Sequence, residues 1–171
     1  HGLASVNIIF EGSNMEQAGE FGCAHMLEHL VCKRLAHLEA DFANEGIEFN
    51  ARTCPETTHY YIRGLDKSVK KYAKEFIRLI TEEGLKFTPQ ELEIEKEIIQ
   101  QEWQDADMEA ERNLFNRFFE QYYQTPRTLG NLQEIKNISF QKIKAMAERS
   151  YRKPIMCVIE QGSKWKVDNQ I

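Results

Sequence analysis

The sequence predicts an α+β domain: a mainly antiparallel sheet with helices packed on one face. Three observations predict it. Ile47-Glu48-Phe49-Asn50-Ala51-Arg52-Thr53 and Thr57-Thr58-His59-Tyr60-Tyr61-Ile62-Arg63 alternate with period two around Cys54-Pro55-Glu56, the pattern of a β-hairpin. Apolar residues at helical spacing follow that hairpin, first from Asp66 and again from Thr88. Short strand-like runs stand near both ends, Ser5-Val6-Asn7-Ile8-Ile9-Phe10 and Pro154-Ile155-Met156-Cys157-Val158-Ile159. Antiparallel strands followed by helices fit an α+β layer architecture. The 171 residues suit a single domain, 1–171, with a proper core and no internal repeat or linker.

Each element has its own signal. The first strand is ended by Gly12-Ser13-Asn14, and a helix is expected from about Glu20. Helical character runs on from Lys33 to Phe42, with Gly46 as the stop. After the hairpin, Asp66 is expected to cap a helix whose apolar face is Val69, Tyr72, Ala73, Phe76, Ile77 and Ile80, closed by Gly84. Thr88-Pro89-Gln90-Glu91 is a capping box with proline at the first helical position. The inward stripe of that helix is expected to be Leu92, Ile98, Ile99, Trp103 and Ala106. Glu95 and Glu102 lie on the same stripe, while Glu93 and Glu97 point to solvent. The run from Glu109 to Tyr123 carries Leu114, Phe115, Phe118, Phe119 and Tyr122, an aromatic stripe expected in the core; Thr125-Pro126 breaks it. Ser139 is expected to cap a last helix to about Ser150, before a final strand from Pro154 to Ile159.

Composition narrows the function. A hydrophobic content of 42% and a charged content of 29% are ordinary for a globular chain. The net charge of −5 argues against a nucleic-acid partner, and no segment reaches the apolar length of a membrane span. Cys23, Cys32, Cys54 and Cys157 form no C-x-x-C pair, so a thiolate zinc site or redox motif is not expected. Free buried thiols suit a reducing compartment, and cytoplasm is the expected location.

The chemistry concentrates in Phe21-Gly22-Cys23-Ala24-His25-Met26-Leu27-Glu28-His29-Leu30-Val31-Cys32. As a helix it sets His25 and His29 one turn apart, about 40° from each other around the axis, with Glu28 about 60° the other way. Its other residues are apolar on nearly all sides, so the helix is expected to be buried. Two imidazoles and a carboxylate buried together need partners, either hydrogen bonds within the core or a metal ion. A catalytic zinc needs three protein ligands and one open position, so a third ligand must come from elsewhere. Glu95 and Glu102 are seven residues apart, differ by only about 20° around their helix axis and lie roughly 10 Å apart along it. Carboxylates on a buried face are costly if unpaired.

With these residues placed, the chain resembles the pitrilysin/insulinase family of inverted-motif zinc peptidases, which includes processing-peptidase-like proteins. Gly22-Cys23-Ala24-His25-Met26-Leu27-Glu28-His29 is similar to the family's zinc-binding helix, an H-x-x-E-H motif. Asn50-Ala51-x-Thr53-x-x-Glu56-x-Thr58-x-Tyr60 is similar to its edge-strand hairpin, and Glu95-Lys96-Glu97-Ile98-Ile99-Gln100-Gln101-Glu102 to its paired-glutamate segment. Tyr123-x-x-Pro126, Leu129-Gly130 and Ile135-x-x-Ile138-Ser139 follow in the same order, up to a closing strand near Gly162. One departure follows His29: the family usually carries a Phe-Lys-Gly-Thr turn, whereas Val31-Cys32-Lys33-Arg34 runs straight on.

The resemblance implies a single domain of the pitrilysin fold and a zinc-dependent endopeptidase. It implies that His25, His29 and Glu102 bind Zn2+, with Glu28 as general base on the metal-bound water and Glu95 as a supporting acid. It also implies that the strand bearing Asn50 and Ala51 takes a peptide or unfolded segment as an added strand. Relatives join several such domains, so a second copy or a separate partner subunit is expected over the site. Two other readings compete. One is a non-catalytic binding or assembly subunit, against which the complete ligand set counts. The other is a small lyase similar to S-ribosylhomocysteine lyase, whose cysteine context is missing. His37 is expected on a helix surface, and His59 exposed or near the substrate groove.

Overall fold

The computed structural model describes residues 2–108, 113–114, 117–118, 121–122, 128–161 and 164–167. It begins with β1 (Leu3–Glu11), a 3-10 turn (Ser13–Met15) and α1 (Cys23–Cys32). A 3-10 segment (Lys33–Leu38) leads into α2 (Glu39–Glu45), followed by β2 (Glu48–Thr53) and β3 (Thr57–Leu65). Next comes α3 (Asp66–Arg78), which continues as a π turn (Leu79–Glu83), and then α4 (Pro89–Met108). Two further helices, α5 (Leu132–Asn137) and α6 (Phe140–Ser150), precede β4 (Met156–Gln161) and β5 (Lys164–Val167).

The strands form one sheet in the order β2-β3-β1-β4-β5, every neighbouring pair antiparallel. Strand period places Ala4, Val6, Ile8 and Phe10 on the buried face, and the β1–β3 register sets Ile62, Tyr60 and Thr58 opposite Val6, Ile8 and Phe10. The same core takes in α1, through Leu27, Leu30 and Val31, α3, through Val69, Tyr72 and Phe76, and α6, through Ile143 and Met146. The opposite face carries Ser5, Asn7, Glu48, His59, Tyr61 and Arg63 along an open groove of about 730 Å³. The expected α+β layering, helices on one face, is the structure.

Several boundaries differ from expectation, each for a local reason. Asp66 is the first residue of α3 rather than its cap; Leu65 holds the cap position, and Asp66 pairs with Lys70 one turn on. Both bonds of the capping box at α4 form, Glu91 N–H to Thr88 Oγ1 (3.2 Å) and Thr88 N–H to Glu91 Oε2 (2.8 Å). Within α4, Ile98 is 42% exposed and Lys96 is buried, its ammonium leaving the apolar layer to reach Glu93. Leu114, Phe118 and Tyr122 are exposed, not core; the rings of Phe118 and Tyr122 stack on each other. Phe115, Phe119, Thr125-Pro126 and Gly162 lie outside the described residues. The strand ending at Ile159 is not the last, because β5 pairs beyond it. Helix α5 was not expected, although Asn131 three residues before Glu134 is a cap signal, and its side chain accepts from the Glu134 N–H.

Candidate metal centre

Helix α1 starts at Cys23 rather than at Glu20, and the chain before it shows why. Gly22 sits at the cap with φ +97° and has no side chain to close the first turn. Glu16 does so from outside, accepting from the N–H groups of Gly22 (3.1 Å) and Ala24 (2.7 Å). Burial pushes the Glu16 carboxyl up to about 7, and these two bonds oppose the shift. Glu134 at the start of α5 accepts from Phe21 N–H (2.9 Å). A Cβ on Gly130 would come within 2.3 Å of the Phe21 carbonyl oxygen, so only glycine permits this approach. The indole N–H of Trp103 on α4 donates to the Gly130 carbonyl (3.2 Å), tying α4 to the start of α1.

At that crossing the predicted ligands converge. Glu102 Oε2 stands 3.8 Å from His25 Nε2 and 3.5 Å from His29 Nε2, and the imidazole centroids are 4.6 Å apart. One ligand atom from each of these three side chains lies within 4.8 Å of the others. Donors bound to zinc at about 2.0–2.2 Å in a tetrahedron stand roughly 3.4 Å from one another, so this set fits a zinc ion after small movements. Two neutral nitrogens and one carboxylate are also a donor set that suits it. Glu102 is 42% exposed in its side chain, which leaves the site open to solvent on that side.

The electrostatics differ residue by residue. Burial, helped by the neighbouring His29, lowers His25 to about 3, so its ring is neutral and can offer a lone pair. For His29, burial acts in the same direction, but the Glu95 bond and the charges of Glu102, Glu95 and Glu28 outweigh it and raise the ring. His29 Nδ1 is 3.0 Å from Glu95 Oε2, which fixes Nδ1 as the protonated nitrogen and turns Nε2 toward Glu102. Glu95 is deeply placed; burial alone would raise it, but His29 and Lys33, 2.6 Å away, hold it below the ordinary carboxylate range. Burial raises Glu28, against bonds from the side chain and backbone of Thr53.

A profile of the insulinase family, peptidase family M16, matches residues 4–132. The chain belongs to that family. It is 28% identical over 161 residues to a probable mitochondrial-processing peptidase subunit beta of Schizosaccharomyces pombe, covering 89% of this chain and 35% of that protein. It is 29% identical over 169 residues to the zinc protease PqqE of Helicobacter pylori, covering 88% of this chain and 36% of that one. The crystal structure of a protease from Helicobacter pylori shares the fold at a TM-score of 0.70 and 24% identity, over 85% of this chain and 38% of that chain. The chain therefore spans about a third of the length of the curated relatives it matches.

Within this M16 domain the structure gathers His25, His29, Glu28, Glu95 and Glu102 in one place. Asn50 and Ala51 lie apart from them on β2, which has a partner strand on one side only among the described residues. Asn50 is exposed, and its side chain accepts from the Ala51 N–H (2.8 Å). Alternation turns Ala51 and Thr53 to the helix-bearing face. Two participants were not foreseen. Lys33 stands one turn after His29, a spacing visible in the sequence; Thr53, which donates to Glu28, was quoted only as part of the hairpin. His37 is exposed, and His59 bonds to Asn7 on the open face of the sheet.

Proposed function

We propose that this M16 domain is the zinc-binding and catalytic part of an endopeptidase acting on peptides or unfolded segments. The observation that carries this reading is the convergence of His25, His29 and Glu102 beside Glu28. The naming of one relative as a zinc protease and another as a peptidase subunit supports it. His25 Nε2, His29 Nε2 and a Glu102 oxygen would hold the zinc ion. Bound there, zinc would lower the pKa of water and polarise the scissile carbonyl. Glu28 accepts the proton of the attacking water and returns it to the leaving amine. Glu95 keeps His29 in its metal-facing tautomer. The free edge of β2 offers backbone donors and acceptors to an extended substrate, with Asn50 and Ala51 at its centre.

A domain with an open strand edge and a solvent-facing site gains from a cover, and a second copy or a separate partner subunit would supply one. Glu48 on that edge is drawn to Arg63 (2.8 Å), which blunts it only in part. The test is metal analysis joined to a peptide-cleavage assay with and without chelator. Wild-type protein is expected to hold about one zinc per chain and to lose cleavage on chelation. Glu28→Gln is expected to keep the metal and lose hydrolysis; a variant that stays fully active, or comes out metal-free, overturns this division of roles.

A further inference from the structure

The hairpin motif leaves Thr53, Thr58 and Tyr60 without a role in the chemistry above, yet the structure joins them to Glu28. The Thr53 hydroxyl and the Thr53 N–H both reach the Glu28 carboxylate. Behind Thr53, its Oγ1 lies 3.3 Å from Thr58 Oγ1. The Tyr151 hydroxyl reaches Thr58, and Tyr60 OH is 2.9 Å from Tyr151 OH. Thr58 and Tyr60 are fully buried and Tyr151 nearly so, in the aromatic layer with Phe10.

Thr53 donates to Glu28, and a hydroxyl has one proton to give, so Thr53 accepts from Thr58. Tyr151 and Tyr60 continue the buried row behind Thr58, so Thr53 has a polar partner on both sides. A hydroxyl bonded on both sides is held in place, and so is the carboxylate it reaches.

We propose that Thr53 is a positioning residue for Glu28, and that Thr58, Tyr151 and Tyr60 hold Thr53 in that role as a buried hydroxyl chain. The proposal rests on the peptidase reading of the site, because it is the proton transfer at Glu28 that would feel the loss of orientation. Thr53 touches no predicted ligand atom, so its effect should fall on turnover and spare the metal.

Three variants of the full chain test it: Thr53→Val, Thr53→Ser and Thr58→Val. Thr53→Val is expected to lower kcat by about 10- to 100-fold, the usual cost of losing such a support, with KM and zinc content unchanged. Thr53→Ser keeps the hydroxyl and is expected to restore most of the rate. Thr58→Val is expected to lower kcat in the same direction by a smaller factor, with Thr53 left in place. Thr53→Val with wild-type kcat, Thr53→Ser as impaired as Thr53→Val, or zinc lost together with activity would each overturn this proposal alone, in a protein that does cleave peptides. A wild-type chain without chelator-sensitive cleavage overturns the peptidase reading and this proposal with it.

Discussion

His25 and His29 stand one turn apart on α1 and face the same carboxylate, yet their far nitrogens have opposite surroundings. His29 Nδ1 is held by Glu95, which is itself held by Lys33. His25 Nδ1 is buried with no hydrogen-bond partner among the described residues. Helical spacing delivers both rings to one place, but it does not fix how each ring is turned. On α4 Glu102 stands near both rings, but Glu95, which holds the far nitrogen, reaches only the later of the two. The His29 ring is braced by a carboxylate, while the far side of His25 is confined by packing alone.

The largest effect should come from the acid both rings share. Glu102→Gln removes the one charged member of the proposed ligand set and is expected to weaken zinc binding by more than about a hundredfold, beyond what loss of a supporting group costs. Full zinc retention in carefully prepared variant protein would exclude Glu102 as the third ligand. Next in size is Glu95→Gln, which loosens His29 and leaves His25 as it was. Competition titration should show zinc affinity or activity reduced by about 10- to 100-fold. An unchanged affinity would mean that the brace on His29 does nothing the packing around His25 does not do.

A third prediction uses the opposite titrations of the two rings in metal-free protein. Unfolded, each takes a proton near 6.5. Folded His25 does so only near 3, so between these values the unfolded chain binds the extra proton and acidification destabilises the fold. Folded His29 keeps its proton above the ordinary value, so its contribution is present below about 6.5 and is lost as pH rises through the folded value. Urea unfolding across pH, in chelator, should show the acid limb flattened by His25→Asn and the alkaline limb by His29→Asn. The same limb responding to both variants would dissolve the contrast. The smallest effect is expected from Lys33→Met. Lys33 is a third exposed, and solvent screening of its ammonium limits the pair with buried Glu95 to about 1 kcal/mol, roughly fivefold in affinity. A loss as large as that of Glu95→Gln would make the ion pair, rather than the carboxylate on the imidazole, the brace.

Periodicity made the frame legible: the β1 alternation, the hairpin, the stripe of α3 and the box at Thr88 all depend on neighbours in sequence. The clustering of His25, His29 and Glu102 was legible because they fall on two helical stripes, whereas the choice of Glu102 over Glu95 as the proposed third ligand came from resemblance. What escaped depends on partners far along the chain. Thr53 reads as an ordinary strand residue until the fold lays β2 beside Glu28, 25 positions earlier. Leu114, Phe118 and Tyr122 show that a stripe marks an apolar face without saying what covers it. Ile98 failed more simply, since it lies about 100° round the helix from Ile99, off the face that Leu92, Lys96 and Ile99 bury.

The middle strand of the sheet has consequences for how the molecule reaches this structure. Strand β1 precedes the other strands of its sheet, and one of its two neighbours, β4, follows long after it, with Val6 paired to Ile159. That contact joins residues about 150 positions apart and carries a large loop-closure cost. A nascent chain therefore exposes an unpaired apolar edge on β1 until β4 emerges, a state open to mispairing with other chains. High contact order of this kind belongs with folding in milliseconds to seconds rather than microseconds. Refolding should be slow, and more prone to aggregate as the protein concentration rises.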